Sequence, residues 1–255
     1  HHFNAKHAYE IILTAGTTHS INIVASGFES LLNKGDEIIV SALEHHSNIV
    51  PWQMLCEKTG AKLKVIPMND NGELQLDKLD ELLNENTKLI FVNHVSNALG
   101  TINPISEIIT KGHKYGAKIL IDGAQASAHF KIDLQNLDVD YYVTSAHKLC
   151  GPTGVGMLYG KKELLEKLPP YQGGGEMIDQ HSAWYLGMAF PYTLPCAVGG
   201  YDVPHRPRWR RPEDRDLPTH ENRESLPEMW RPLPWRSVHA SYVEFVLPRE
   251  SQSRR

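Results

Sequence analysis

The chain has 255 residues, of which 41% are apolar, and a formal net charge of -4 at pH 7. This length and composition allow a large buried core in one or two domains. The charge predicts no general attraction for nucleic acid or acidic membranes. No apolar run reaches the roughly 18 residues of a membrane helix, and the start, HHFNAKHAYE, does not resemble a signal peptide. Three widely spaced cysteines provide no disulfide framework and no metal-ligand spacing. We therefore expect a cytoplasmic protein without a metal site.

The composition changes sharply after residue 178. Residues 1–178 contain 15 Lys and no Arg, whereas residues 179–255 contain 11 Arg, no Lys, ten of the 16 prolines and four of the five tryptophans. We predict a folded body at 1–178 and a poorly ordered, irregular tail at 179–255. The tail is either a separate segment or the product of a frameshift or chimeric assembly. Its 11 Arg face ten acidic residues without helical or strand periodicity, which disfavours a nucleic-acid-binding tail.

Strand and helix patterns alternate along the body. The first residues, 1–8, are predicted to be the end of a helix whose start is missing. The predicted strands are 10–13, 37–40, 62–66, 88–92, 118–122, 141–144 and 155–159. The predicted helices are 20–32, 49–59, 76–83, 104–115 and 161–168, with a short helix near Ala124 and a flexible loop at 172–176. This alternation predicts an α/β fold, with a mostly parallel sheet and helices on both faces. The last strand follows its predecessor too closely for a parallel crossover, so it is predicted to be the one antiparallel strand.

Polar residues follow the ends of several predicted strands, at the edge where parallel sheets bind ligands. Thr17 and Thr18 precede a helix, where they could bind a phosphate or merely cap the helix. His45 could lie on an aromatic ring or move protons, or be an ordinary surface histidine. The other candidates at this edge are Asn97, Asp122, Gln125, Ser145, His147 and Lys148.

Asp122 and Lys148 offer the most specific chemistry. A lysine that holds an aldehyde as a Schiff base, and an acid that keeps a pyridine nitrogen protonated, are what pyridoxal 5'-phosphate (PLP) requires. Each residue also has an ordinary interpretation, since Asp122 could cap the following helix and Lys148 could be a solvated loop lysine. The sequence predicts a PLP site because both residues follow strands of the same predicted sheet.

Six blocks between residues 3 and 178 resemble the class V aminotransferase family and, within it, the group II cysteine desulfurases of the SUF iron–sulfur assembly system. The blocks are AGTTHSIN, EHHSNIVPWQ, HVSNALGTINP, ILIDGAQ, SAHKLCGPTGVGMLYGKK and GGGEMI. The resemblance implies a fold type I large domain, a homodimer, and conversion of L-cysteine to L-alanine. The sulfur would pass as a persulfide to an acceptor protein of the SUF system. A selenocysteine lyase, another class V enzyme and an inactive PLP-fold remnant that serves as a scaffold remain open.

The resemblance also implies a role for each candidate residue. Lys148 matches the lysine that binds the PLP aldehyde, and His45 matches the histidine stacked on the ring. Asp122 corresponds to the acid at the pyridine nitrogen and Gln125 to the residue at the ring hydroxyl, while Asn97 matches a residue near the ring oxygen and the substrate carboxylate. The phosphate ligands by this resemblance are Thr18, Ser145 and His147, with Thr17 beside them.

Several features of the resembling family are missing from this sequence. It contains neither the Arg-x-Gly-x-His-Cys-type motif of the nucleophilic cysteine, nor the nearby arginine that holds the substrate carboxylate, nor the Ala-Gly-Thr-Pro segment. We interpret Cys150 as structural, and Cys196 lies in a segment, TLPCAVGG, that matches no known motif. We therefore expect a fragment that keeps the PLP pocket but lacks the C-terminal domain. As it stands, we expect this fragment to lack sulfur-transfer activity.

Overall fold

The computed structural model describes residues 2–173, which form one sheet with helices packed on it. The predicted boundary after residue 178, the tail at 179–255 and Cys196 lie outside the described residues. Within residues 2–173, no helix combines the length and the apolar character that crossing a membrane requires.

The sheet has seven strands. They are β1 (Ile11–Thr14), β2 (Glu37–Ser41), β3 (Lys62–Ile66), β4 (Thr87–Asn93), β5 (Lys118–Asp122), β6 (Tyr141–Ser145) and β7 (Gly156–Gly160). Their order across the sheet is β1-β7-β6-β5-β4-β2-β3. Strand β7 runs antiparallel to both of its neighbours, and every other neighbouring pair is parallel. The prediction of a mostly parallel sheet with one antiparallel strand is confirmed.

Helices cover both faces of the sheet, as predicted. They are α1 (Thr17–Phe28), α2 (Val50–Thr59), α3 (Leu76–Leu82), α4 (Ile105–Lys114), α5 (Leu134–Leu137) and α6 (Lys162–Leu165). Apolar residues of α1, α2 and α6 form one core with alternate strand residues such as Phe91, on which the Trp52 ring stacks with centroids 3.5 Å apart. Residues of α3, α4 and α5 form the second core on the opposite face, with strand neighbours such as Ile90.

The predicted helix over the first residues is not found, since residues 2–7 are irregular and Ala8–Glu10 forms only a turn of 3-10 helix. Phe3 packs against the core below α5, and its carbonyl accepts a 3.0 Å hydrogen bond from the Leu134 N–H. Asn4 has a φ of 48°, which a continuing helix does not allow. Long-range contacts with α5 therefore override the local helical pattern.

Two of the predicted helices, α1 and α6, also have different bounds in the structure. Helix α1 begins at Thr17 rather than at residue 20 and ends at Phe28 rather than at residue 32. The Thr17 N–H donates to the Ser145 hydroxyl, 2.9 Å away, so a residue distant in sequence satisfies the first turn. Helix α6 is shorter than predicted and ends at Leu165. Of the loop predicted at 172–176, only the first two residues are described.

The connection between β6 and β7 is a closed loop. Ala146–Leu149 forms a turn of 3-10 helix, and Cys150 ends it in the left-handed conformation with a φ of 60°. The Ala146 N–H donates to the Val155 carbonyl at 2.9 Å, and the Gly151 N–H donates back to the Ala146 carbonyl at 2.8 Å. These bonds fix the loop directly beyond the end of β6.

At the opposite edge of the sheet, Glu37 begins β2 as a buried, paired acid. Its carboxylate lies 2.6 Å from the Lys64 amine and accepts a 2.6 Å hydrogen bond from the Asn84 amide. Burial tends to raise the pKa of Glu37, but the Lys64 and Asn84 contacts outweigh it and hold that pKa below the ordinary value of 4.5. The charged form therefore stabilises the folded state.

We expect Glu37→Gln to lower the free energy of unfolding at pH 7 by about 2 kcal/mol, since it removes a charged hydrogen-bond acceptor. A depressed pKa contributes stability above the unfolded-state value, and this contribution is lost as the pH falls through the folded-state value. The difference between variant and parent should therefore narrow below pH 4.5. Urea unfolding at several pH values measures it, and a difference independent of pH would contradict the assignment.

Candidate active site

A cleft of about 270 Å³ lies at the edge of the sheet where the parallel strands end. All nine residues predicted for the site line this one cleft. They are Thr17, Thr18, His45, Asn97, Asp122, Gln125, Ser145, His147 and Lys148. The structure therefore brings together side chains from five separate segments of the chain, as the strand-end argument predicted.

Strand register explains the convergence. In the parallel pairs, Asn93 at the end of β4 lies opposite Asp122 at the end of β5, and Asp122 lies opposite Val143 of β6. Two residues further along β6, Ser145 ends the strand beside the start of α1. The cleft thus opens where three neighbouring parallel strands stop at nearly the same level.

Asp122 lies at the floor of the cleft and is 6% exposed. One carboxylate oxygen accepts a 2.9 Å hydrogen bond from the Ala124 N–H, and no described residue donates to the other oxygen. Burial raises the pKa of Asp122, whereas the Ala124 N–H and the positive charges of Lys148 and His45 act to lower it. Asp122 is therefore not the cap of the following helix that the sequence allowed as an alternative, because Gln125 is that N-cap and Asp122 binds only the Ala124 N–H through one oxygen.

The backbone beside Asp122 is closely packed. A side chain at Gly123 would collide with the ring of Tyr142, which lies in the core beneath the cleft. The Tyr142 hydroxyl in turn lies 3.1 Å from Nδ1 of His94. This packing leaves no room for Gly123 to carry a side chain and so fixes the end of β5.

Lys148 is half-buried in the 3-10 turn that follows β6. Within residues 2–173, its amine makes no hydrogen bond and no ion pair, although the carboxylate of Asp122 feels its charge. The two central residues of the prediction therefore share one cleft without direct pairing. An amine without an acid partner beside it is available for reaction with a ligand.

The N-terminus of α1 forms one side of the cleft. Gly16 is the N-cap and has no side chain to cap the helix, so neither threonine is the cap that the sequence allowed as an alternative. The Thr17 hydroxyl lies 2.8 Å from the Ser145 hydroxyl, which joins α1 to the end of β6. A side chain at Gly156 would collide with the Gly16 backbone, so β7 packs tightly beneath this junction. Hydroxyls and the positive end of the α1 dipole are thereby placed together.

His45 lies opposite, at the start of the 3-10 turn His46–Asn48. Its Nδ1 accepts a 3.1 Å hydrogen bond from the Ser47 N–H, so the neutral ring carries its proton on Nε2. Asn97 is exposed and Gln125 half-buried, and neither side chain hydrogen-bonds to another described residue. All three side chains keep polar atoms available to a ligand in the cleft.

The sequence argument missed four residues that line the cleft, namely Ser47, Asn93, Val95 and Ala124. It also missed Glu44, a 2% exposed acid that directly precedes His45 in the chain. The only sequence signal for Glu44 was an acid shortly after an apolar strand, which is more often a surface residue.

Comparison with known proteins places this geometry in a family. The model of the aminotransferase class-V family matches residues 1–193. The chain is 56% identical to a cysteine desulfurase of Cronobacter sakazakii over 176 residues, which are 69% of this chain and 43% of the relative. It therefore spans less than half the length of the curated relatives it matches.

Solved structures agree on the fold. The crystal structure of the cysteine desulfurase CsdA from Escherichia coli matches with a TM-score of 0.71 and 41% identity, over 75% of this chain and 50% of that one. A mutant of C-DES with glycine covalently linked to its PLP cofactor matches with a TM-score of 0.60 and 27% identity, over 65% of this chain and 44% of that one. The sheet and its helices therefore have the fold type I architecture, and the chain belongs to the class-V aminotransferase family.

Proposed function

We propose that this chain contains the PLP-binding large domain of a cysteine desulfurase and that Lys148 holds the cofactor. The observation that carries the proposal is that all nine residues assigned to PLP by sequence line a single cleft. The named cysteine desulfurases among the relatives support the choice of L-cysteine as the substrate.

The chemistry of the cleft fits PLP at both ends of that molecule. The hydroxyls of Thr17 and Ser145 and the N-terminus of α1 suit a phosphate dianion. At the other end, Asp122 keeps one carboxylate oxygen without a protein donor, as a protonated ring nitrogen requires. When bound, PLP supplies an electron sink for the carbanion that forms at the amino-acid Cα.

Lys148 and Asp122 have different roles in the proposed chemistry. The Lys148 amine would bind the aldehyde of PLP and would later move the proton at the substrate Cα. Both tasks require the unprotonated amine, and no described residue forms a hydrogen bond or an ion pair with it. Asp122 would hold the protonated ring nitrogen, whose positive charge would offset the burial that raises the pKa of Asp122.

The remaining residues orient the ligand. Thr18, Ser145 and His147, with Thr17 beside them, would hold the phosphate, and His45 would cover the ring and present its Nε2–H. Gln125 would contact the ring hydroxyl, and Asn97 would lie near the ring oxygen and the substrate carboxylate, since both residues line the cleft.

In the full reaction, L-cysteine becomes L-alanine and its sulfur passes to a nucleophilic cysteine as a persulfide. We propose further that an acceptor protein of the SUF system then receives the sulfur for iron–sulfur cluster assembly, and that the enzyme acts as a cytoplasmic homodimer. The motifs for the nucleophilic cysteine and the substrate-binding arginine are not found in this sequence. A selenocysteine lyase differs from this proposal only in the preferred substrate.

Adding PLP to the full chain should produce a visible absorbance band that borohydride fixes covalently, because the Lys148 amine reacts with the aldehyde. Lys148→Ala should abolish the band. Lys58→Ala, which removes an exposed lysine paired with Glu29 on the surface, should leave it unchanged. A covalent adduct that survives in Lys148→Ala would refute the role of Lys148, and no band in the parent chain would refute a PLP site.

Asp122→Asn should weaken PLP binding by about 10-fold or more, since a hydrogen bond to a charged group contributes about 1.5–3 kcal/mol. Asparagine keeps an acceptor for the Ala124 N–H, so the free energy of unfolding without PLP should not fall. An absorbance titration gives the affinity, and Asp80→Asn, at an exposed surface pair with Lys111, is the control. Equal affinities for parent and Asp122→Asn would contradict the proposed contact.

With PLP and a reducing thiol present, L-cysteine should yield alanine and sulfide in equal amounts, and slowly, because the family's nucleophile motif is not found in this sequence. Amino-acid analysis and a sulfide assay measure both products. A keto acid in place of alanine would favour an aminotransferase. PLP binding without any alanine would favour the inactive PLP-fold alternative.

A further inference from the structure

Glu44 is a buried acid to which the proposed chemistry gives no role. It is 2% exposed, directly precedes His45 in the chain, and does not line the cleft. Three groups donate to its carboxylate: the Ser41 hydroxyl at 2.5 Å, the Asn48 amide at 2.6 Å and the Asn93 backbone N–H at 2.7 Å. A carboxyl group with three hydrogen-bond partners from three segments is a junction rather than an isolated buried acid.

The direction of two of these hydrogen bonds is fixed by their neighbours. The indole N–H of Trp52 can only donate, and it donates to the Asn48 side-chain oxygen at 3.1 Å. The Asn48 amide nitrogen must therefore face Glu44 and donate to it. A backbone N–H also can only donate, so the second carboxylate oxygen of Glu44 must accept from Asn93.

Asn93 extends the junction to the loop that follows β4. Its side-chain amide donates to the Leu43 carbonyl, which ties the end of β4 to the segment that precedes His45. Asn103 donates to the Asn93 carbonyl at 2.9 Å and so closes the loop that contains Asn97. Two of the proposed PLP ligands, His45 and Asn97, are thus held by segments that meet at Glu44.

Glu44 also shares an electrostatic environment with the floor of the cleft. Burial is the main reason that the pKa of Glu44 rises to about 8, the negative charge of Asp122 raises it further, and the three donors act against both. The charge of Asp122 therefore acts on Glu44, although only Asp122 lines the cleft.

We propose that Glu44 is a positioning residue of the PLP site, which joins the His45 segment to the end of β4 and thereby sets how the ring and its ligands meet. This inference rests on the proposed function for its effect on PLP, but the junction itself belongs to the chain without a ligand. Glu44 touches neither the cleft nor a ligand and acts through His45 and Asn93.

Glu44→Gln is the sharpest substitution, because glutamine keeps the shape but replaces one acceptor oxygen by a donor amide. Whichever way the amide lies, its N–H₂ meets the Asn48 amide or the Asn93 N–H, and two donors face each other. Asn48 cannot rotate to accept without removing the acceptor of the Trp52 indole N–H. The junction must therefore open on at least one side.

Glu37→Gln provides a matched control. Glu37 is also a buried acid with two close donors. It lies at the start of β2, whereas Glu44 follows the end of that strand. Both variants should have a lower free energy of unfolding than the parent. If lower stability alone weakened PLP binding, PLP affinity should therefore fall in both variants. Only Glu44→Gln should alter the cleft.

The experiment uses the full chain of each variant and of the parent. Hydrogen exchange without PLP, PLP affinity by absorbance titration, and the visible circular dichroism of the bound cofactor are measured under the same conditions. For Glu44→Gln we expect exchange at least 10-fold faster at residues 45–48 and 93–96, PLP affinity at least 10-fold lower, and an altered dichroism band. For Glu37→Gln we expect parental exchange in these two segments, affinity within 2-fold of the parent, and an unchanged band.

Two results would overturn the inference. Parental exchange at residues 45–48 and 93–96 in Glu44→Gln would show that Glu44 does not hold these segments. Equal PLP affinities and dichroism for Glu44→Gln and Glu37→Gln would show that Glu44 only stabilises the fold. If the parent itself takes up no PLP, the proposed function fails, and the exchange result alone decides whether Glu44 positions the two segments.

Discussion

The in-register parallel pairing of β4, β5 and β6 is the constraint on which the rest of the structure depends. It places the end of β5, with Asp122, between Asn93 and the last residues of β6. Among the described residues, apolar cores cover both faces of these strands, so polar side chains of this part of the sheet gather where the strands begin and end. A cleft lined by polar groups therefore follows from the strand pattern itself, before any particular ligand is considered.

Charge at this edge is arranged differently from charge at the opposite one. At the far edge, Asp140 is buried with a full set of partners, which includes His113 and Lys161. In the cleft, Asp122 has only the Ala124 N–H as a partner, and Lys148 has no hydrogen-bond or ion-pair partner among the described residues. Leaving such groups unpaired costs folding free energy, and proteins keep that arrangement mainly where a ligand completes it.

Much of this arrangement could be predicted from local sequence. Apolar runs predicted the strands, and the short span before β7 predicted its antiparallel direction. Polar residues after the strand ends predicted the cleft. What could not be predicted depends on residues far apart in the chain. The start of α1 at Thr17 requires the Ser145 hydroxyl, and the irregular first residues result from the packing of Phe3. The burial of Glu44 requires Asn93, which lies 49 positions away.

The loop between β6 and β7 has a consequence for how this sequence can vary in length. The other parallel strands are joined by helices that pack on the faces of the sheet. An inserted residue in such a connection can lengthen the loop at a helix end without moving a strand. The β6–β7 loop cannot lengthen in this way, because Ala146 and Val155 are hydrogen-bonded to each other and Lys148 lies between them. Insertions or deletions in homologous chains should therefore be tolerated in the crossovers and excluded from this loop, where one extra residue would move the reactive amine.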